Sequence, residues 1–348
     1  MSSTNTLQEI LKQYDIHVTP DQIIPFGSGL INNTWKINVD NVSFILQRIN
    51  TNVFTHPERI DQNLNLLKNH FKEFHPEYLF AGPSPTVDGR TLLAYDSDMY
   101  RLQPFIEGSH TVDSVTSPKE AYQASREFAR FSKLLTGIDL KSLAYPLENF
   151  HNLTLRIKQF DEALECASED LVMLATSEIY EVKSHMDIAF RYNQIVSEGV
   201  IPLRVIHHDT KISNVLFDKN DEGLCVIDLD TVMPGYFISD VGDMMRTYLS
   251  DANEDEQDFE QVMVRKDIYD EILKGYMEEM APIMTANEKN LFAFSGRFII
   301  YMQAVRFLTD FLNGDRYYPI KYPLHNLKRA GNQLALLKSY IEMTADDI

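Results

Sequence analysis

The spacing of apolar and polar positions gives the 348-residue chain two textures. Up to about residue 102, short apolar runs alternate with turn residues. Ile23-Ile24-Pro25-Phe26 and Lys36-Ile37-Asn38-Val39 flank a glycine-bearing turn, and residues 42–49 (VSFILQRI) form the next strand. Residues 92–94 and the run 99–108 read as two more strands leading into a hinge at 103–106. Within this half, Ile60, Leu64, Leu67 and Phe71 recur at helical spacing and predict a helix over residues 56–71. Beyond the hinge the three-and-four spacing predicts helices over 117–136, 153–166 and 171–195, and within 259–280, 287–312 and 324–343. The expected architecture is α+β: a mainly β N-terminal lobe (1–102), a hinge (103–106) and a mainly helical C-terminal lobe (107–348).

One hairpin interrupts the helices. Val215-Leu216-Phe217, the turn-rich run Asp218-Lys219-Asn220-Asp221-Glu222-Gly223 and Leu224-Cys225-Val226-Ile227-Asp228 read as two short strands that deliver a carboxylate at their end. Just before it stands His207-His208-Asp209-Thr210-Lys211-Ile212-Ser213-Asn214. This octapeptide offers a carboxylate to receive a proton, an ammonium two residues on for phosphate charge, and an amide oxygen five residues on for a metal ion. Asn214 and Asp228 supply the hard oxygen atoms that suit Mg²⁺ carrying nucleotide phosphates, because Mg²⁺ keeps waters and takes few protein ligands. Singly, each of these residues is a turn former or a solvated side chain; together they are a phosphoryl-transfer loop.

Composition changes the picture less. The chain has 44% hydrophobic residues and is long enough for two lobes with a substantial core. Its formal charge of −19 argues against nucleic acid and anionic membrane as partners. The N-terminus has no basic start or apolar signal core, and no apolar run would span a bilayer, so cytoplasmic residence is the expectation. Cys166 and Cys225 are too few for a disulfide framework. In the turn after Phe26, Gly27 and Gly29 let backbone approach phosphate, although Asn32 stands where a third glycine would complete the kinase pattern.

His207, Asp209, Lys211 and Asn214, followed by Asp228 in Ile-Asp-Leu-Asp, resemble the catalytic and metal-binding segments of the aminoglycoside phosphotransferase and choline kinase family, distant relatives of protein kinases. The resemblance implies a two-lobed protein-kinase-like fold binding ATP and Mg²⁺ between its lobes. It makes Asp209 the catalytic base, Lys211 a charge-offsetting partner, Asn214 and Asp228 the metal ligands, and His207 a structural support. From strands of that family it implies Arg48 as the phosphate contact, paired with Glu58 or Asp61, unless Gln47 takes the inner face. It implies that backbone from Gln103 to Phe105 reads adenine, Pro104 having no N–H to give.

The segments Asp228-Leu229-Asp230-Thr231-Val232-Met233-Pro234-Gly235 and Ile238-Ser239-Asp240-Val241-Gly242-Asp243-Met244-Met245-Arg246, with Arg306-Phe307-Leu308-Thr309-Asp310 and Arg316-Tyr317-Tyr318, are similar to the N-acetylhexosamine 1-kinase branch. That likeness points to a free amino sugar as acceptor. Asp230, Arg306 and Tyr317 are its candidate contacts; alternatively, Asp230 caps a turn, Arg306 pairs with Asp310 and Tyr317 packs over a helix end. Asp240 is expected to brace the catalytic segment rather than touch substrate. Other acceptors within the class are amino alcohols and aminoglycosides. Outside it stands a nucleotide-binding regulator without catalysis, against which the intact loop speaks.

Overall fold

The computed structural model describes residues 4–27, 31–40 and 42–345. Helix α1 (Thr4–Lys12) buries Leu7, Ile10 and Leu11, which their spacing places on one face. That face meets an antiparallel sheet of β1 (Ile23–Pro25), β2 (Asn33–Val39), β3 (Val42–Ile49), β4 (Leu93–Tyr95) and β5 (Asp98–Pro104), in the order β1-β2-β3-β5-β4. Between β3 and β4, α2 (Pro57–Phe74) buries Ile60, Leu64, Leu67 and Phe71, the stripe predicted from spacing.

Register decides what each face of the sheet carries, since residues directly opposite one another share a face. Trp35, Leu46 and Leu102 lie in line, as do Asn33, Arg48 and Tyr100. Trp35, Ile37, Phe44, Leu46, Tyr100 and Leu102 all belong to the core built on α1. The opposite face carries the line Thr34, Gln47 and Arg101, and the line Lys36, Ile45 and Gln103.

The chain divides into two compact units. The first is Met1–His110 with Leu134–Glu148 and Leu216–Pro234; the second is Thr111–Lys133, Asn149–Val215 and Gly235–Ile348. This differs from the expected break at residues 102–106. The strand β5 continues to Pro104, and His110 exchanges two backbone hydrogen bonds with Phe217, each 2.9 Å, which tie the later hairpin to this unit. In α2, Asn63 donates to the Ala144 and Val232 carbonyls at 3.0 and 2.9 Å and accepts from the Ala144 N–H at 2.8 Å. Contacts distant in sequence therefore draw two later segments into the first unit.

The second unit contains α3 (Pro118–Leu134), α4 (Leu153–Cys166), α5 (Glu169–Leu174), α6 (Thr176–Ser184), α7 (Met186–Ser197), the short strand β6 (Arg204–Ile206), α8 (Phe237–Tyr248), α9 (Lys266–Met280), α10 (Ala286–Asn290), α11 (Phe292–Leu312) and α12 (His325–Met343). Helix α11 is buried along most of its length and rich in apolar residues, which marks a core helix, and α4, α8 and α12 pack around it. At Gly242 of α8 a Cβ would collide with the Ser295 carbonyl and Ile299 of α11, so only glycine allows this approach. The single helix predicted over 171–195 is three helices. Thr176 Oγ1 donates to the carbonyls of Val172 and Met173, and Ser184 Oγ to that of Glu181, so side chains compete for main-chain acceptors where the helix breaks.

One carboxylate fastens the start of α12. Asp255 accepts from Lys321 Nζ at 2.6 Å, His325 Nε2 at 2.9 Å and Arg329 Nε at 2.7 Å. Burial acts to raise its pKa, but the hydrogen bonds from Lys321, Arg329 and His325 outweigh it and hold the carboxyl below its ordinary range. A depressed folded-state pKa contributes stability that is in place above the unfolded-state value and lost as pH falls through the folded one. Asp255→Asn should therefore flatten the acid limb of stability below about pH 4. Urea unfolding at stepped pH reads this, and an acid limb as steep as that of the unaltered protein would deny Asp255 the role.

Candidate active site

In the second unit, β6 buries Val205 and Ile206 and hands the chain to the octapeptide loop. His207 is fully buried, edge-on to Phe128 and Phe131, and its Nδ1 accepts the Asp209 N–H at 3.3 Å. It is the scaffold expected. Helix α8 supplies the brace. Asp240 accepts the N–H groups of His207 at 2.9 Å and His208 at 2.7 Å, and Asp243 accepts that of Thr210 at 2.8 Å. Burial pushes the Asp240 carboxyl up to about 7 against the pull of those two donors. Tyr248 donates to the Thr210 carbonyl at 2.6 Å, and Arg246 neutralises Asp243 at 3.0 Å. Because the bonds from Asp240, Asp243 and Tyr248 are made to main-chain groups of the loop, its backbone is braced without the Asp209 side chain.

Asp209 is partly exposed, with Oδ1 3.3 Å from Lys211 Nζ. That carboxylate is the chief cause of the raised Lys211 pKa. Asn214 is buried, and its Nδ2 donates to the Asp209 carbonyl at 3.0 Å, which orients the amide and leaves Oδ1 for a cation. Asp209, Lys211 and Asn214 are thus gathered within one loop.

In the first unit the hairpin β7 (Val215–Phe217) and β8 (Gly223–Val226) precedes Asp228, which is exposed and left-handed at φ +57°. An exposed carboxylate with hard oxygen atoms fits a Mg²⁺ ligand. Asp230 does not fit a substrate contact. It is 2% exposed, ion-paired with Arg101, and accepts Asn32 Nδ2 at 2.9 Å, so both its oxygens are engaged. Arg101 Nε and Nη2 also donate to Gln47 Oε1 at 2.9 and 2.8 Å.

The expectation for Arg48 is corrected by the same strands. Arg48 shares the α1 side of the sheet with Phe44 and Leu46, and there it meets Asn33 Oδ1 at 2.6 Å and Asp98 at 3.2 Å rather than Glu58 or Asp61. Gln47 holds the inner face, and the buried cation there is Arg101. This residue was legible in the alternation Tyr100-Arg101-Leu102-Gln103. Asn32, which replaces the third glycine, links Asp230 to the Asn50 N–H, accepted at 3.0 Å.

Gly27 has φ +79°, a left-handed turn that glycine adopts without strain. Gly29 lies outside the described residues. Gln103 sits in the ladder opposite Ile45, and the Phe105 N–H is committed to the Ser43 carbonyl at 3.0 Å. Phe105 therefore cannot read adenine through its amide. Its ring instead meets Phe26 edge-on at 5.9 Å, with Lys36 Nζ 3.4 Å from its centroid.

The second unit also holds a cavity of about 510 Å³ lined by Arg156, Arg306, Thr309, Asp310, Tyr317 and Tyr318 among others. Both predicted acceptor residues of the C-terminal stretch, Arg306 and Tyr317, line it. Arg306 does not pair with Asp310. That carboxylate accepts the N–H groups of Arg316, Tyr317 and Tyr318 at 3.0, 2.8 and 2.9 Å, and Asn326 Nδ2 at 3.0 Å, which fixes the loop carrying both tyrosines. Ring contacts run from the cavity to the octapeptide loop: Arg306 to Tyr318 at 5.5 Å and to Phe150 at 5.9 Å, Phe150 to His151 at 4.5 Å, His151 to His208 at 5.5 Å. Burial, with His208, Arg306, Arg246 and Arg156 nearby, holds the His151 pKa well below its usual range, so its ring is neutral.

A sheet-based N-terminal region with a helical C-terminal region makes this a protein-kinase-like phosphotransferase fold. The chain belongs to the phosphotransferase enzyme family (APH), whose sequence profile matches residues 22–266. It is similar in structure to a microcompartment-associated aminopropanol kinase (TM-score 0.66, 16% identity, covering 99% of this chain and 98% of the other). It is also similar to an aminoglycoside phosphotransferase from Alicyclobacillus acidocaldarius (0.66, 12%, 97% and 95%). A third likeness is to a spectinomycin phosphotransferase solved with ADP and spectinomycin (0.62, 14%, 97% and 98%). No helix among the described residues is long and apolar enough to cross a membrane.

Proposed function

We propose that the protein transfers the γ-phosphoryl group of ATP to the anomeric hydroxyl of a free N-acetylhexosamine. The observation that carries the phosphotransfer is the braced loop, which presents Asp209 and the Asn214 amide oxygen on a rigid backbone. Asp209 accepts the proton of the acceptor hydroxyl, and Lys211 offsets charge developing on the phosphoryl oxygens. By the family resemblance Asn214 and Asp228 would hold Mg²⁺, which would supply charge neutralisation for the nucleotide phosphates. The ADP bound to the spectinomycin enzyme supports an adenine nucleotide.

For the acceptor, the support is the likeness of residues 228–246, 306–310 and 316–318 to the sugar 1-kinase branch, together with a cavity lined by Arg306 and Tyr317 that can bond hydroxyl and amide oxygens. The second reading, an amino alcohol or an aminoglycoside, draws on the names of the similar structures. Incubation with ATP, Mg²⁺ and a panel of free sugars and amino alcohols, read by phosphorus NMR, separates the two. An anomeric phosphate formed from an N-acetylhexosamine is the expected product, and turnover of amino alcohols alone would reject the sugar. Asp228→Ala should weaken Mg²⁺-dependent nucleotide binding at least about tenfold. Unchanged affinity in a calorimetric titration would remove Asp228 from the metal.

A further inference from the structure

His208, the residue immediately before Asp209, lies in the left-handed backbone region at φ +68°. A residue with a side chain is uncommon there, because its Cβ crowds the backbone. The His208 ring is buried and packed. It lies 5.5 Å from the ring of His151 and 6.4 Å from that of Phe150, and those two rings are stacked at 4.5 Å and 16°. It also meets bare backbone, since a Cβ on Gly235 would come within 2.5 Å of His208 Nε2. The far end of the stack is anchored in turn. Asn149 is left-handed too, at φ +58°; Arg156 Nη2 donates to the Asn149 and Phe150 carbonyls at 3.1 and 3.2 Å, and Tyr192 donates to the His151 carbonyl at 3.0 Å. The transfer chemistry itself uses none of these rings.

The conformation of residue 208 decides where Asp209 points. An ordinary negative φ there would turn the following peptide by more than about 120° about the N–Cα bond. The His208 N–H is held by Asp240 at 2.7 Å and the Asp209 N–H by His207 Nδ1 at 3.3 Å. Those bonds fix two amides, while the steric preference of an L residue for negative φ acts against them. The packed ring adds a further hold, because the same rotation would carry it out of contact with His151 and Gly235. Backbone outliers of this kind persist where their surroundings over-determine them, and they gather at functional sites.

We propose that His208 is a positioning residue: its ring, seated on the Phe150–His151 stack, holds the left-handed backbone that aims the Asp209 carboxylate at the acceptor hydroxyl. The proposal deepens the phosphotransfer reading and rests on Asp209 as its base. It gives a task to the second histidine of the His-His-Asp sequence, which the motif leaves without one.

Paired variants of the full chain test it, with ATP, Mg²⁺ and the acceptor found in the panel, or water where none is used, read as ADP release well below the lowest thermal midpoint. His208→Ala and His208→Gly lose the same ring, but only alanine opposes a left-handed residue. His208→Ala should lower kcat about tenfold. His208→Gly should stay within about threefold of the unaltered protein, and KM for ATP should hold in both. A merely structural role would not rank them so, because glycine is the more destabilising of the two wherever φ is ordinary. His151→Leu should lower kcat at least about threefold in the chain that keeps His208 and change nothing further in the His208→Gly background. Equal kcat in the alanine and glycine variants, or a His151→Leu effect that persists beside His208→Gly, overturns the proposal. Asp209→Asn run alongside separates the proposal from the reading beneath it. A rate kept in Asp209→Asn removes the base, and the positioning role falls with it; a rate lost there but kept in His208→Ala overturns the positioning role alone.

Discussion

Asp209→Asn should lower kcat by about 100-fold to 10,000-fold, the range that a positioned general base contributes, while leaving nucleotide affinity and the fold in place. The separation of the two effects follows from how the loop is held. Its bonds to His207, Asn214, Asp240 and Asp243 run through main-chain atoms, including the N–H and carbonyl of Asp209 itself, and the substitution leaves those atoms unchanged. It weakens only the pair with Lys211 at 3.3 Å, whose ammonium is half exposed, so the pair is worth little to stability. An amide in place of the carboxylate keeps the shape and removes the basicity. Single-turnover rates, nucleotide titration and a thermal midpoint measured together check the prediction. A kcat within a few fold of the unaltered enzyme would sink the role of Asp209 as base, and a fallen midpoint would mean that the side chain holds the loop after all.

Arg101→Met should destabilise the protein by about 3–5 kcal/mol, because it strands a buried carboxylate. Asp230 would keep only the Asn32 amide as a partner, and Gln47 Oε1 would be left without both of its guanidinium donors. Adding Asp230→Asn should recover a good part of the stability, since the uncompensated charge disappears even though the pair is gone. Urea unfolding at constant m-value reads both steps. A single variant costing under about 1 kcal/mol would show that water reaches Asp230 and that the pair is not a structural keystone. The same variant should loosen the start of β2, because Asn32 is held between Asp230 and the Asn50 N–H.

Much of the molecule is legible in the amino-acid chain itself. The strand over 42–49, the helix over 153–166 and the apolar stripe of α2 follow directly from local period, and the fold has them. The protein-kinase-like fold follows from the loop and hairpin, whose chemistry is concentrated in a short window. Where local pattern misleads is phase. In β3, Phe44, Ile45 and Leu46 are all apolar, so either face could be the inner one. Only pairing with β5, where Tyr100 and Leu102 alternate with Arg101 and Gln103, breaks the tie and sends Arg48 to the α1 side. Asp230 misleads for a related reason: its partner is 129 positions away, beyond any spacing rule. The cavity is a third case. Arg306 and Tyr317 are visible as candidates, but Arg156 joins them from another helix, and the duty of Asp310 toward the 316–318 backbone has no sequence signature.

The unit boundaries also bear on synthesis. The chain passes between the two units at residues 110, 133, 148, 215 and 234, so the first unit has no contiguous gene segment. At translation rates of roughly 5–20 residues per second, Arg101 leaves the ribosome on the order of ten seconds before Asp230. During that interval the sheet presents a cation with no counterion on what will become an inner face. A truncated first half made alone would never receive the segment that supplies the Asp230 counterion.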